Sequence, residues 1–157
     1  MAIAGPRRRR GDARSPQAPP FGPTPGGVGT PDPAGVLRSV EHALDAARKL
    51  RRPMTLVCLE MTDPADEARV SRIATLVRRT VRDTDGVWRD GTASLVVLLT
   101  DCDGPNSEPA LARIRLRLRG EKINAGVMMG RAAPPPGLPA EELLALARSD
   151  CRRIWHS

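Results

Sequence analysis

The stretch RDTDGVWRDGTASLVVLL, residues 82–99, contains two runs of strand-forming residues separated by a short polar segment. Val87 and Trp88 precede that segment, and the apolar run at 95–99 follows it. Two such runs joined through a glycine predict an antiparallel β-hairpin, with its turn near Asp90 and Gly91.

Upstream of the hairpin, residues 66–83 (DEARVSRIATLVRRTVRD) predict a helix. Its apolar side chains recur every three or four residues, at Val70, Ile73, Val77 and Val81. Before it, MTLVCLEM at 54–61 is a continuous apolar run, typical of a strand buried on both faces. Cys58 lies in this run and is expected to be a core residue.

A leading helix is predicted at 34–51. Asp32 and Pro33 form a typical helix start, and Pro53 ends the segment. One face of the helix is apolar, through Val36, Val40, Leu44 and Ala47. The hairpin is thus preceded by a helix, a strand and a second helix.

Downstream, SEPALARIRLRL at 107–118 predicts a helix, although its IRLRLR alternation would also suit a strand. KINAGVMMG at 122–130 predicts a strand, and AEELLALARSDCRRI at 140–154 a final helix. The order is a helix followed by β-α-β-β-α-β-α. This order predicts an α/β (α+β) fold with a mixed central sheet, of the ferredoxin-like or polymerase-palm kind.

The composition suits one domain, at 32–157, behind a tail at 1–31. Proline, glycine and arginine dominate the tail, which is expected to be disordered because it can bury little apolar surface. Net charge is +7, which indicates either an anionic partner or a general preference for arginine. Aromatic residues are only 2%, which argues against base-stacking nucleic-acid modules. Weak nucleic-acid binding by the arginines at 7–10 stays open.

Several kinds of site are not expected. The three cysteines are scattered and lack zinc-binding spacing, so we expect reduced thiols, no metal and no cofactor. No apolar stretch is long enough for a membrane helix, and the N-terminus lacks the apolar segment of a secretory signal. We therefore expect a cytoplasmic protein without a membrane partner.

Residues 32–157 resemble the GGDEF domains, which synthesise cyclic di-GMP. DPAGVL at 32–37 is similar to the opening of that family, and INAGVMM, with Gly126, to its fourth strand. Glu60 stands where the family's first strand carries a metal-binding aspartate. The segment Gly91, Thr92, Ala93, Ser94 and Leu95 replaces the family's Gly-Gly-Asp-Glu-Phe signature. The resemblance implies the palm-type GGDEF fold.

The departures from the family pattern imply that cyclase activity is lost. Phosphoryl transfer from GTP needs carboxylates that hold divalent metals, and Ala93 and Ser94 replace the acidic pair of the signature. Thr92 adds a side chain where a glycine lets the backbone approach phosphate. The segment between Glu60 and Arg82 has room for one helix, whereas the family usually has two, which carry its guanine-recognising residues. We therefore predict no catalytic residues.

Nearby acids are no evident replacement for the lost pair. Asp63, Asp66 and Asp90 lie close in sequence to the vestigial positions, but the sequence does not place them as metal ligands. A residual nucleotide enzyme that uses other carboxylates stays open as a hypothesis.

One family feature is retained. Arg82 and Asp85 form an Arg-x-x-Asp motif five residues before Gly91, where many GGDEF domains bind cyclic di-GMP as an inhibitor. A guanidinium can donate to guanine O6 and N7, and Arg78 and Arg79 could contact phosphates. This site requires Arg82 and Asp85 on one exposed face. The alternative is a solvated helix end.

We therefore predict a non-catalytic, cyclic di-GMP-binding regulatory domain. The alternative is a ligand-free domain that serves as an interaction module for an unidentified protein, and a homodimer stays open. Trp88 is expected to pack in the core or to contact a partner.

Overall fold

A computed structural model describes residues 30–62 and 66–155, with side chains described through Cys151. The predicted order of elements is confirmed. The elements are α1 (Pro33–Leu50), β1 (Met54–Met61), α2 (Glu67–Thr80), β2 (Gly86–Gly91), β3 (Ser94–Thr100), a short 3-10 helix (Pro105–Ser107), α3 (Glu108–Gly120), β4 (Val127–Ala132) and α4 (Ala140–Trp155). Nearly all of the predicted tail lies outside the described residues.

The four strands form one sheet in the order β2-β3-β1-β4, and every neighbouring pair is antiparallel. The fold class and its ferredoxin-like connectivity are confirmed, but the sheet is antiparallel rather than mixed. The reason is topological. Strands β1 and β2, which α2 connects, run in the same direction, but β3 lies between them and runs the opposite way. Strands β3 and β4 also run in the same direction, and β1 lies between them.

Helices cover both faces of the sheet. Helices α2 and α3 pack on the face that carries Val57, Leu59 and Val97, whereas α1 and α4 pack on the opposite face. The second face includes Leu56, Cys58, Trp88, Val96 and Leu98. Burial on both faces explains the uninterrupted apolar run of β1, and Cys58 and Trp88 are confirmed as core residues.

The ends of α1 follow their sequence signals. Asp32 caps the first turn, where its carboxylate accepts a hydrogen bond of 3.0 Å from the backbone N–H of Gly35. Arg51 adopts a left-handed conformation with φ of 53° just beyond the last turn, before Pro53. None of the helices described here is long and apolar enough to span a membrane.

Several boundaries differ from the predictions, and helix α2 ends at Thr80 rather than at residue 83. The hairpin turn lies at Thr92 and Ala93, because β2 continues through Gly91. Strand β4 begins at 127 rather than 122, because Lys122 and Gly126 have φ of 60° and 72°, which interrupt an extended chain. A Cβ atom on Gly126 would lie 2.5 Å from Thr62 Oγ1, so only glycine fits there.

Candidate functional site

The positions predicted to be vestigial lie together at the hairpin end of the sheet. Ser94 of β3 pairs with Glu60 on one side and with Gly91 on the other. Ala93 accepts a hydrogen bond of 2.8 Å from the backbone N–H of Met61. The fold therefore brings Glu60 beside the turn formed by Thr92 and Ala93.

The residues at this hairpin end of the sheet offer few groups that could bind a cation. The side chain of Ala93 has no ligand atom, and that of Ser94 has only a hydroxyl. Within the residues described here, no group of three or more His, Cys, Asp or Glu side chains could hold a metal ion. A hard divalent cation prefers several oxygen ligands, so the chemistry of this donor set does not fit the metals of the cyclase family.

Asp90 is already paired. Its side chain is 7% exposed, and Oδ2 accepts a hydrogen bond from the guanidinium of Arg148 on α4. Burial disfavours the charge of Arg148, but the hydrogen bond and the charge of Asp90 raise its pKa overall. Asp66 caps α2, because its carboxylate accepts a hydrogen bond of 3.1 Å from the backbone N–H of Arg69. Asp63 lies outside the described residues.

Cys58, two residues before Glu60 on β1, is a buried thiol. Burial, followed by the neighbouring Cys151 and Glu60, raises the pKa of the Cys58 thiol to about 12. This thiol is therefore protonated at neutral pH and is a poor nucleophile or metal ligand.

Arg89 contacts the hairpin turn from inside the protein. It was not predicted as a site residue from the sequence. It is only 3% exposed, and its guanidinium donates to both carboxylate oxygens of Glu67, with Nη2 3.1 Å from Oε1. Nη2 also lies 3.4 Å from the carbonyl oxygen of Thr92. The hydrogen bond from Arg89 lowers the pKa of Glu67. The only signal in the sequence was the charged pair Arg89 and Asp90, which directly follows the apolar residues Val87 and Trp88.

Asp85 is a buried carboxylate, 2% exposed. It accepts hydrogen bonds of 2.9 Å from the backbone N–H groups of Arg82 and Thr100, and one of 3.2 Å from Thr100 Oγ1. Asp85 therefore does not meet the requirement of an exposed face shared with Arg82. Its carboxylate holds the α2–β2 loop against the end of β3.

The Arg82 side chain is 57% exposed and lies over Asp85. Its Nε and Nη2 atoms are each 3.4 Å from a carboxylate oxygen of Asp85, and Nη2 also donates to the carbonyl of Thr100. These bonds restrain the guanidinium while leaving much of it in solvent.

The other two predicted arginines occupy different places. Arg78 donates to the carbonyls of Asp85, at 2.7 Å, and Arg82, so it stabilises the loop. Arg79 lines a separate cavity between α2 and α3, with Arg72 and Glu121. The structure thus brings Arg78, Arg82 and Asp85 together and places Arg79 elsewhere.

A cavity of about 270 Å³ opens beside Arg82. The loop and the end of β3 form one wall, and the start of α3 forms the other. Its polar lining comes from Arg82, Asp85, Asp101, Cys102, Asn106 and Arg113. Arg113 was not predicted as a site residue, because the sequence alone does not show which arginine of α3 faces the loop.

Comparisons with known proteins agree on the fold. No protein-family model and no curated protein matches the sequence. Solved structures do match. The active GGEEF domain of a diguanylate cyclase from Vibrio cholerae has a TM-score of 0.69 at 13% identity, over 80% of this chain and 91% of that one.

Two further structures are similar. The GGDEF domain of DgcB from Caulobacter crescentus, in complex with c-di-GMP, has a TM-score of 0.67 at 13% identity, over 76% of this chain and 81% of that one. The FimX GGDEF domain from Pseudomonas aeruginosa has a TM-score of 0.64 at 17% identity, over 80% of this chain and 93% of that one. With its β2-β3-β1-β4 sheet and its hairpin at the signature position, this chain has the fold of the GGDEF domains.

Proposed function

We propose that this chain is a GGDEF-fold regulatory domain without cyclase activity, which binds cyclic di-GMP in the cavity beside Arg82. The observation that carries this proposal is the pair of arginines, Arg82 and Arg113, that line one cavity from two different elements. Two guanidinium groups suit a ligand that carries two phosphates and two guanines.

Each arginine has a distinct task in this proposal. The exposed edge of Arg82 donates to guanine O6 and N7, as arginine does in DNA recognition. Arg113, on the opposite wall, neutralises a phosphate. The cavity is slightly below the usual size of small-molecule pockets, so it holds one base while the rest of the dinucleotide lies over the surface.

Asp85 has a different role from the one its motif implies. With 2% of its surface exposed, it is not available to accept from the Watson–Crick edge of guanine. Instead it orients Arg82, because its carboxylate oxygens lie within 3.4 Å of Nε and Nη2 of that guanidinium. Asp85 and Arg78 are therefore positioning residues.

The proposed loss of cyclase activity is inferred from the residues of the hairpin. Glu60 faces Ser94 across the sheet, and Ala93 supplies no carboxylate beside it. A site with an alanine and a serine in place of two acids is weak for the divalent ions that phosphoryl transfer from GTP requires.

A ligand-free interaction module is the second candidate function. The specific observation in its favour is Asp85, whose oxygens are satisfied by groups of the protein itself. Under this alternative, the Arg-x-x-Asp motif serves only to stabilise the loop.

Calorimetric titration of the full chain with cyclic di-GMP distinguishes the two functions. We expect Arg82→Ala and Arg113→Ala each to weaken binding by roughly 5- to 150-fold, the usual effect of losing an arginine–guanine or arginine–phosphate contact of about 1–3 kcal/mol. Arg79→Ala, a matched loss of one charge outside the cavity, is expected to retain wild-type affinity. Absence of binding at tens of micromolar ligand, or equal effects of all three variants, supports the interaction module instead.

A further inference from the structure

The C-terminal end of α1 borders an apolar groove. One part is a cavity of about 210 Å³ between α1 and the ends of β1 and β3, and the other is a cavity of about 420 Å³ against the proline loop at 134–136. Ala47, Arg52, Pro53 and Met54 line both parts. We call these two cavities together the α1 groove.

An exposed leucine marks the groove. Leu50 lines the smaller cavity and is 63% exposed, whereas Met54 and Leu98 on the floor are buried. A single exposed leucine is ordinary, but Leu50 and the concave apolar floor beside it form one contiguous apolar surface, and such surfaces mark interaction sites. The floor offers space for an apolar side chain from outside.

The rim of the groove is strongly basic. Four of the five residues at 48–52 are arginine or lysine, and Arg48, Arg51 and Arg52 line the groove. Of the acids nearby, Asp101 pairs with Arg52 at 3.4 Å and Asp103 lines the larger cavity. The positive charges outnumber the negative ones, so the rim attracts an acidic surface.

We infer that the α1 groove is a docking site for an acidic segment of a partner protein, which inserts an apolar side chain between Leu50 and the floor. Charge disfavours the other occupants that this chain could supply. A second copy would bring the same basic rim and a net charge of +7. The segment 1–29 carries five arginines against one aspartate. A flat anionic membrane would contact the rim without filling the concave floor.

The inference goes beyond the proposed function and does not depend on it. Asp101 lines both the α1 groove and the cavity beside Arg82, so the two sites are neighbours. The test below contains no dinucleotide, and its outcome is therefore separate from that of the titration with cyclic di-GMP.

The test measures fluorescence anisotropy of a fluorescein-labelled acidic peptide, EELWEELLEE, with the full chain. A second peptide of equal charge, EESSEESSEE, lacks apolar residues. The variants are Leu50→Asp and Leu116→Asp. Leu116 is a matched control because it is 66% exposed and lies between two arginines on α3, yet it does not line the groove.

We expect EELWEELLEE, the peptide with apolar residues, to bind. Leu50→Asp is expected to weaken its affinity by about tenfold or more, as loss of an anchor side chain does. Leu116→Asp is expected to change the affinity less than about threefold, since it alters only charge at the surface. Equal binding of the two peptides, or equal effects of the two variants, would show charge attraction alone and overturn the inference. Binding only to anionic phosphatidylglycerol vesicles, lost in Leu50→Asp, would also overturn it.

Discussion

Single residues show how a motif can keep its spacing and change its role. Asp85 lies where a ligand contact is expected, yet its oxygens accept from the N–H groups of Arg82 and Thr100. A buried carboxylate is tolerated when such donors compensate for its lost hydration. The guanidinium of Arg82 is thereby restrained in one orientation, which suits the proposed binding of the dinucleotide.

The role of Asp85 in the loop predicts a stability effect. Asp85→Asn should lower the free energy of unfolding by about 1–3 kcal/mol, because the amide cannot accept all of the hydrogen bonds that the carboxylate receives. Urea denaturation measures the change. Asp83→Asn, at an exposed position of the same loop, is the control and should stay within about 0.5 kcal/mol of wild type. Equal stability of Asp85→Asn and wild type would refute this role.

At the scale of elements, two charge contacts, each with one buried partner, join the hairpin to its neighbours. Arg148 joins α4 to β2 through Asp90, and Arg89 joins β2 to the start of α2 through Glu67. Arg89 and Asp90 both belong to the last part of β2, just before the turn at Thr92 and Ala93. Arg89 and Arg148 thus connect the hairpin to α2 and α4.

The pair of Asp90 and Arg148 can be tested by a double-mutant cycle. Arg148→Met should destabilise the domain by about 1–3 kcal/mol, because it leaves Asp90 buried without its donor. Asp90→Asn in the same background should cost much less than it does in wild type, since the partner is already gone. Additive effects in urea denaturation would mean that the two side chains act independently.

The hairpin also predicts the outcome of an activity assay. Incubation with GTP and Mg²⁺ or Mn²⁺ should yield no cyclic di-GMP above a control without protein, since Ala93 and Ser94 cannot replace two carboxylates at the metals. Chromatography of the products measures this. Product formation that disappears in Glu60→Ala would show that Glu60 supports a residual enzyme.

For the whole molecule, the sequence predicts the order of elements better than it predicts the site. Apolar patterns located the α-helices and strands of the described residues because these elements are amphipathic or fully buried, whereas the short 3-10 helix at Pro105–Ser107 was not predicted. The sheet order depends on contacts distant in sequence, and the antiparallel pairing of β1 with β4 is visible only in the fold. Arg113 and the cavity were missed for the same reason, since the cavity forms between the α2–β2 loop and α3.

The domain should fold without its first residues. Deletion of 1–29, which keeps the Asp32 cap of α1, is expected to change the thermal midpoint little, because the composition of that segment allows it to bury little apolar surface. Calorimetry or circular dichroism measures the midpoint. A loss of several degrees would show that the segment stabilises the domain.

Cys102 provides the most direct test of dinucleotide binding beside Arg82. It lines the cavity, whereas Cys58 and Cys151, the other two cysteines, are buried. Labelling with iodoacetamide is followed at mildly alkaline pH, because burial raises the pKa of the Cys102 thiol. We predict that saturating cyclic di-GMP slows the labelling of Cys102 in wild type but not in Arg82→Ala. An unchanged rate in wild type would contradict binding in this cavity.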